Sequence, residues 1–208
     1  MKANIEIEER SLVSKEQYNR LHKHLESLGA VQTSRRVMIN FTALDYERSE
    51  SIELRLNDGK LTKVVKKGAF GGTTFEQTTE LHTTLEQALQ IMAEQGYDHA
   101  KISLRIRHVV RSGGYEYCLR DIVRYENPEA FSYPTLFEIE AESASLAEEP
   151  AIRQRIAEIM ASLQIKVVNK KDFQSWSEFN HNQIDGDFVF SPKMAISLVN
   201  KLRTAHFL

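Results

Sequence analysis

Ile5-Glu6-Ile7-Glu8-Glu9-Arg10 is the stretch from which the fold can be read. Its residues alternate. In an extended strand Ile5, Ile7 and Glu9 take one face, and Glu6, Glu8 and Arg10 take the other. Carboxylates and a guanidinium set in a row against an apolar core would cost several kcal/mol or more. That face therefore meets either bulk water or a polar cavity that needs charge.

Working outward, Phe137-Glu138-Ile139-Glu140-Ala141-Glu142 mirrors the opening, with an apolar face and an all-acidic face. Between them lie strands of the opposite sign. Ile52, Leu54 and Leu56 alternate with Glu53, Arg55 and Asn57, and Asn57-Asp58-Gly59-Lys60 is a hairpin signal leading into a return strand that carries Lys63, Lys66 and Lys67. Thr73 to His82 alternates, with Glu76, Thr78, Glu80 and His82 on one face. Ile102, Leu104 and Ile106 oppose Lys101, Ser103, Arg105 and Arg107, and Gly113-Gly114 turns the chain into a strand over Tyr115 to Val123 with Arg120 and Asp121.

Helices separate these strands. Ser14-Lys15-Glu16-Gln17 is a capping box before Tyr18, Leu21, Leu25 and Leu28 at helical spacing. Thr84 opens a second helix, and Pro150 a third. Val31 to Ala43 reads as a further strand, Asp45 to Ser51 and Asn127 to Pro134 as loops, and Lys166 to Trp176 as a short strand running into a turn. Gly68 to Gly72 is followed by a strand, so it reads as a loop rather than a phosphate cradle. Ser191 and Pro192 open a last helix, whose Met194, Ile196, Leu198, Val199 and Leu202 are apolar enough to dock on the body or on a second subunit in a homodimer.

The 208 residues, 41% hydrophobic and 27% charged, suit one sizeable soluble domain with an appendage. We expect residues 1–178 to form the domain and 179–208 a C-terminal extension with a short helix. The net charge of −2 shows no global basic field, so no nucleic-acid partner is expected. The single cysteine, Cys118, excludes an internal disulfide and a cysteine metal cluster. A leader and a membrane-spanning run are not seen, which points to a cytoplasmic protein without a membrane partner. There is no HExxH, no CxxC, no nucleophile elbow and no Walker loop. His82 and His108 read as structural or surface residues, and His22 and His24 as solvent-facing.

Any one of these strands could be the solvated face of an open sheet, with cross-strand pairs worth a few tenths of a kcal/mol. Several strands with segregated sign favour another arrangement. About eight strands suffice to close a small barrel. With apolar faces outward under helices, the charged faces would line the lumen. Arginine and lysine suit a phosphate chain, and clustered carboxylates suit Mg²⁺ or Mn²⁺. The expected fold is α+β: an eight-stranded antiparallel β-barrel, a tunnel with a polar interior, flanked by helices.

The chain resembles the CYTH superfamily, the triphosphate tunnel metalloenzymes. Glu6-Ile7-Glu8-Glu9-Arg10 is similar to that family's ExExK signature, and the order of elements agrees over about residues 4–176: Leu54-Arg55, a lysine strand, an acidic strand, the pair Arg105 and Arg107, Asp121, then Glu138 and Glu140. The resemblance implies that Glu6, Glu8 and Arg10 are catalytic and that Glu6, Glu8, Glu80, Glu138 and Glu140 are metal ligands. It implies that Arg10, Arg55, Lys66, Arg105 and Arg107 hold phosphate oxygens, with Lys171 a lysine at the closing end. Arg10 stands where the signature has lysine and keeps the charge on a bulkier fork, and Asn57 stands where a second basic residue is common.

Three functions follow. The first is metal-dependent hydrolysis of an inorganic, nucleoside or organic triphosphate. The second is a class IV adenylyl cyclase releasing pyrophosphate from ATP. The third is a non-catalytic module that binds polyphosphate or nucleotide.

Overall fold

The computed structural model describes residues 5–41, 50–67, 75–143 and 145–208. In chain order the elements are β1 (Ile5–Val13), α1 (Lys15–Leu28), β2 (Gln32–Asn40), β3 (Glu50–Asn57), β4 (Lys60–Lys67), β5 (Phe75–Glu80), α2 (Leu85–Glu94), β6 (His99–Ser112), β7 (Tyr115–Val123), β8 (Phe131–Ser132), β9 (Thr135–Ser143), α3 (Glu149–Ser162), α4 (Lys170–Gln183), β10 (Gly186–Val189) and α5 (Pro192–Thr204). The chain divides into two compact units: residues 1–33, 106–122 and 132–173, and residues 34–105, 123–131 and 174–208.

In the first unit the strand order is β1-β9-β7-β6. β1 and β9 run antiparallel from Ile5↔Ser143 to Val13↔Thr135, and β7 pairs β9 in the same sense. One face of this sheet is apolar. Val13, Val110, Leu119, Phe137 and Ile139 are buried there with Leu21 and Leu25 of α1 and Ile156 and Met160 of α3. Each such side chain contributes about 1.5–3 kcal/mol of burial. α1 starts where the sequence places it: Ser14 Oγ accepts from the Gln17 amide at 3.3 Å, and the Gln17 side chain accepts from the Ser14 amide at 2.9 Å.

In the second unit the order is β6-β2-β3-β4-β5, with β10 on β6. The β3–β4 turn holds Asp58 at φ 47° and Gly59 at φ 81°. Positive φ at both central residues is what a tight hairpin turn requires and what Asp-Gly supplies. Val37, Ile39, Leu54, Leu56 and Leu61 are buried, α2 packs on α5, and Leu89 and Met92 of α2 and Leu198 and Leu202 of α5 are buried. The apolar face of α5 is thus buried within the chain's own second unit, while Met194 and Ile196 stay exposed.

Three expectations are corrected. Among the described residues the strand path is linear from β1 to β5, an open antiparallel sheet rather than a closed barrel. Alternation reports the face a side chain takes; it carries no information on whether two edges meet. Lys166 to Trp176 is not a strand: α4 begins at Lys170, with Asn169 Oδ1 accepting from the Asp172 amide at 2.9 Å. The signal was an N-cap asparagine with an acidic first turn. β10 and β8 lie in stretches read as polar tail and loop. Residues 68–72 and most of the Asp45 loop fall outside the described residues. No helix among the described residues is long and apolar enough to cross a membrane.

Candidate functional site

The second face of the first unit's sheet is charged, and the strand register aligns it in rows. Glu8 lies opposite Glu140, and Glu140 opposite Glu116, so three carboxyl residues stand side by side across β1, β9 and β7. The neighbouring row is Arg10, Glu138 and Cys118. On the other side of the carboxylate row, Glu6 is opposite Glu142. Like charges set directly opposite destabilise a sheet unless something compensates them.

Arginines compensate them here. Glu138, 2% exposed, accepts from Arg10 Nε at 3.0 Å through one oxygen and from an Arg120 terminal nitrogen through the other. Burial alone would push the Glu138 carboxyl up. The Arg120 and Arg10 guanidiniums outweigh it and hold the group below its usual range. Arg120 is shifted the opposite way: burial disfavours its charge, and Glu138 more than offsets that. Arg10 also pairs with Glu8, and its guanidinium carbon lies 5.4 Å from the centre of the Phe173 ring of α4. Arg107 donates to Cys118 Sγ at 3.3 Å and to Glu116 at 3.4 Å, and Arg111 donates to the other Glu116 oxygen at 2.8 Å. Burial pushes the Cys118 thiol up, which leaves it un-ionised.

Glu116 carries a further contact. Burial opposes its charge, but a hydrogen bond with Glu140 and the Arg111 and Arg107 guanidiniums hold its carboxyl below the usual range.

Asp121 belongs to the opposite, covered face. His108 Nε2 lies 2.9 Å from Asp121 Oδ2, His108 Nδ1 lies 3.1 Å from Thr33 Oγ1, and the Tyr18 hydroxyl donates to Asp121. Burial, then Asp121, pushes the Tyr18 hydroxyl far up. His22 packs edge-on to His108 with ring centres 5.2 Å apart, so it is half-buried rather than solvent-facing. This cluster fastens α1 to the sheet.

In the second unit the register decides which lysine shares a face with Arg55. Arg55 is opposite Thr62 and Ser51 opposite Lys66, so Lys66 has the parity of Glu53 and Arg55, while Lys63, opposite Leu54, has the other. Thr78 and Glu80 pair Val64 and Thr62 on the same face as Arg55, and Glu80 is exposed. Arg55 Nε donates to Glu53, 6% exposed, at 2.8 Å. Arg105, 7% exposed, donates to Asp185 at 3.1 Å and to its own neighbour's carbonyl, Leu104 O, at 2.9 Å.

The structure thus brings together Glu8, Arg10, Arg107, Glu138 and Glu140 in the first unit, and Arg55, Lys66 and Glu80 on one face in the second. The Glu6 side chain lies outside those described. Lys171 is exposed in the first turn of α4, two positions before Phe173. Sequence reasoning left Glu116, Arg120, Glu53 and Asp185 out of the candidate site. Parity could have found the first three, since each alternates with apolar residues on a strand already recognised. Asp185 had no local signal, because its role comes from the fold-back of the C-terminal segment. The donor set is all oxygen and suits a hard divalent cation. Among the described residues, no group of three or more carboxylate, histidine or cysteine side chains is arranged to hold one.

No family model matches the chain, and no curated protein matches its sequence. Solved structures do match. A Pyrococcus horikoshii protein aligns at 13% identity with a TM-score of 0.60, covering 79% of this chain and 93% of its own. A Vibrio parahaemolyticus protein provisionally named an adenylate cyclase aligns at 14% identity and 0.58, covering 83% and 99%. A Hippeastrum protein, provisionally named an adenylyl cyclase and reported to show a dominant triphosphatase activity, aligns at 14% and 0.57, covering 85% and 96%. The chain has the fold these proteins share. At 13–14% identity this likeness is one of fold.

Proposed function

We propose that this chain is a divalent-metal-dependent triphosphatase of the CYTH type, acting on a small triphosphate-containing molecule. The observation that carries the reading is the row Glu8, Glu140 and Glu116 beside the arginines gathered on Glu138, all on one sheet face opposite an apolar core. A structural sheet face has no need of such a concentration of charge. A metal–phosphate ligand accounts for both signs.

Glu6, Glu8 and Glu140 would hold Mg²⁺ or Mn²⁺, with Glu116 beside Glu140 in the same row. Glu138 and Glu80 are the further carboxylates of the proposed set. Glu138, already engaged by two arginines, serves mainly to aim them. A bound metal supplies charge to the phosphate oxygens and lowers the pKa of a coordinated water. Arg10 and Arg107 carry forked donors matched to phosphate oxygens, with Lys171 a further cation of the first unit, and Arg55, Lys66 and Arg105 are the proposed phosphate-holding residues of the second unit. Fixing these donors in advance stabilises charge that develops as the terminal phosphoryl group leaves, so no covalent step on the protein is required.

A class IV adenylyl cyclase is the second reading, favoured by the fold shared with the provisionally named cyclases. The products separate the two. With ATP and Mg²⁺ or Mn²⁺, a triphosphatase releases orthophosphate, and a cyclase releases pyrophosphate and cyclic AMP. We expect orthophosphate. Pyrophosphate with cyclic AMP would establish the cyclase, and tight binding of triphosphates without turnover would establish a binding module.

A further inference from the structure

The C-terminal segment returns to the sheet in a way that touches the basic strand β6. β10 pairs β6 antiparallel, with Gly186 opposite Ile102 and Asp187 opposite Lys101. This register delivers two carboxylates to two cations of β6. Asp185 accepts from Arg105 at 3.1 Å, with both side chains below a tenth exposed, and Asp187 lies 2.7 Å from Lys101. Lys101 and Arg105 have the same parity on β6, so both belong to its basic face.

The position of Asp185 is set from several sides. The amides of Ile184 and Asp185 both donate to Asn180 O at 2.9 Å, closing the end of α4. Asn180 is itself buried, and its side chain donates to Trp176 O at 2.8 Å. Gly186 lies so close to Tyr125 that a Cβ there would meet the ring at 2.1 Å. Tyr125 is in turn covered by Lys201 of α5, 3.7 Å from the ring centre. Ile184 and Phe188 are buried on either side. The Asp185 backbone is thus held by contacts within the chain's own second unit. Burial, then the nearby Lys101, holds the His181 imidazole below its usual range, so at neutral pH it adds no competing positive charge.

Arg105 is long and flexible in isolation. Two acceptors, Asp185 and Leu104 O, each take an N–H from one terminal nitrogen and set the direction of the fork. We propose that Asp185 is the positioning residue of Arg105, and that residues 174–208 complete the phosphate-gripping strand rather than forming an appendage. This rests on the triphosphate reading given above.

The test is calorimetric titration of inorganic tripolyphosphate into the full chain, run well below each variant's thermal midpoint. Asp185→Ala is expected to weaken binding roughly tenfold, the lower end for loss of a supporting partner. Asp185→Asn should recover most of it, because the amide oxygen still accepts from the guanidinium. Arg105→Ala and the double variant Arg105→Ala/Asp185→Ala should bind alike. Unchanged affinity in Asp185→Ala with a lowered midpoint would reduce the pair to a structural tie and overturn the proposal. Tighter binding in Asp185→Ala or Asp185→Asn would also overturn it, because Asp185 would then be a competitor of the ligand. If the wild type itself fails to bind tripolyphosphate, the triphosphate reading falls and this inference with it.

Discussion

Glu138 is 2% exposed and still ionised, because Arg10 and Arg120 each reach one of its oxygens. Breaking a buried ion pair by removing one partner leaves charge without compensation. Glu138→Gln is accordingly expected to cost about 3–5 kcal/mol of stability in chemical denaturation. A loss near zero would mean that the arginines find other partners. The pH dependence follows from the direction of the shift. The folded-state pKa is lowered, so the contribution is complete above the ordinary value of 4.5 and is lost as pH falls through the lower folded value. Thermal midpoints of the wild type should drop in that acid window, with a shallower drop in Glu138→Gln. At this scale the sequence was partly legible. Alternation put Glu8, Arg10, Glu138 and Glu140 on one face, but it could not show that Glu138 is the shared partner of two arginines. That fact depends on β1, β9 and β7 being neighbours.

Elements were legible where the signal is local. The capping box at Ser14, the helix start at Thr84 and the Asp58-Gly59 turn are found where the residues predict them. β10 was missed because four residues, Gly186 to Val189, carry little alternation and gain their identity from pairing with β6. Its geometry gives a direct prediction. Gly186→Ala places a methyl group against the Tyr125 ring at 2.1 Å, and aromatic rings do not yield as a flexible chain end does. The cost should be about 1–3 kcal/mol, as for other overpacked sites, with loss of amide protection along Gly186 to Val189. Stability within about 0.5 kcal/mol of wild type would show that the ring can move aside.

For the whole molecule, the order of acidic and basic strands was readable from one sequence, while closure of the sheet was not. Sign and parity are properties of residues, whereas closure depends on edge pairing that no residue encodes alone. The fold agrees with proteins of 13–14% identity, a level at which shape survives and chemistry has to be argued from side chains. The central claim is that the charged face works on a triphosphate through a metal held by its carboxylates. Orthophosphate release from inorganic tripolyphosphate tests it most directly, measured with Mg²⁺ or Mn²⁺, with a chelator, and in Glu8→Gln. The account predicts turnover that stops on chelation and falls roughly a hundredfold or more in Glu8→Gln, as expected when a metal ligand is neutralised. Turnover that persists under chelation, or that Glu8→Gln leaves intact, would contradict it.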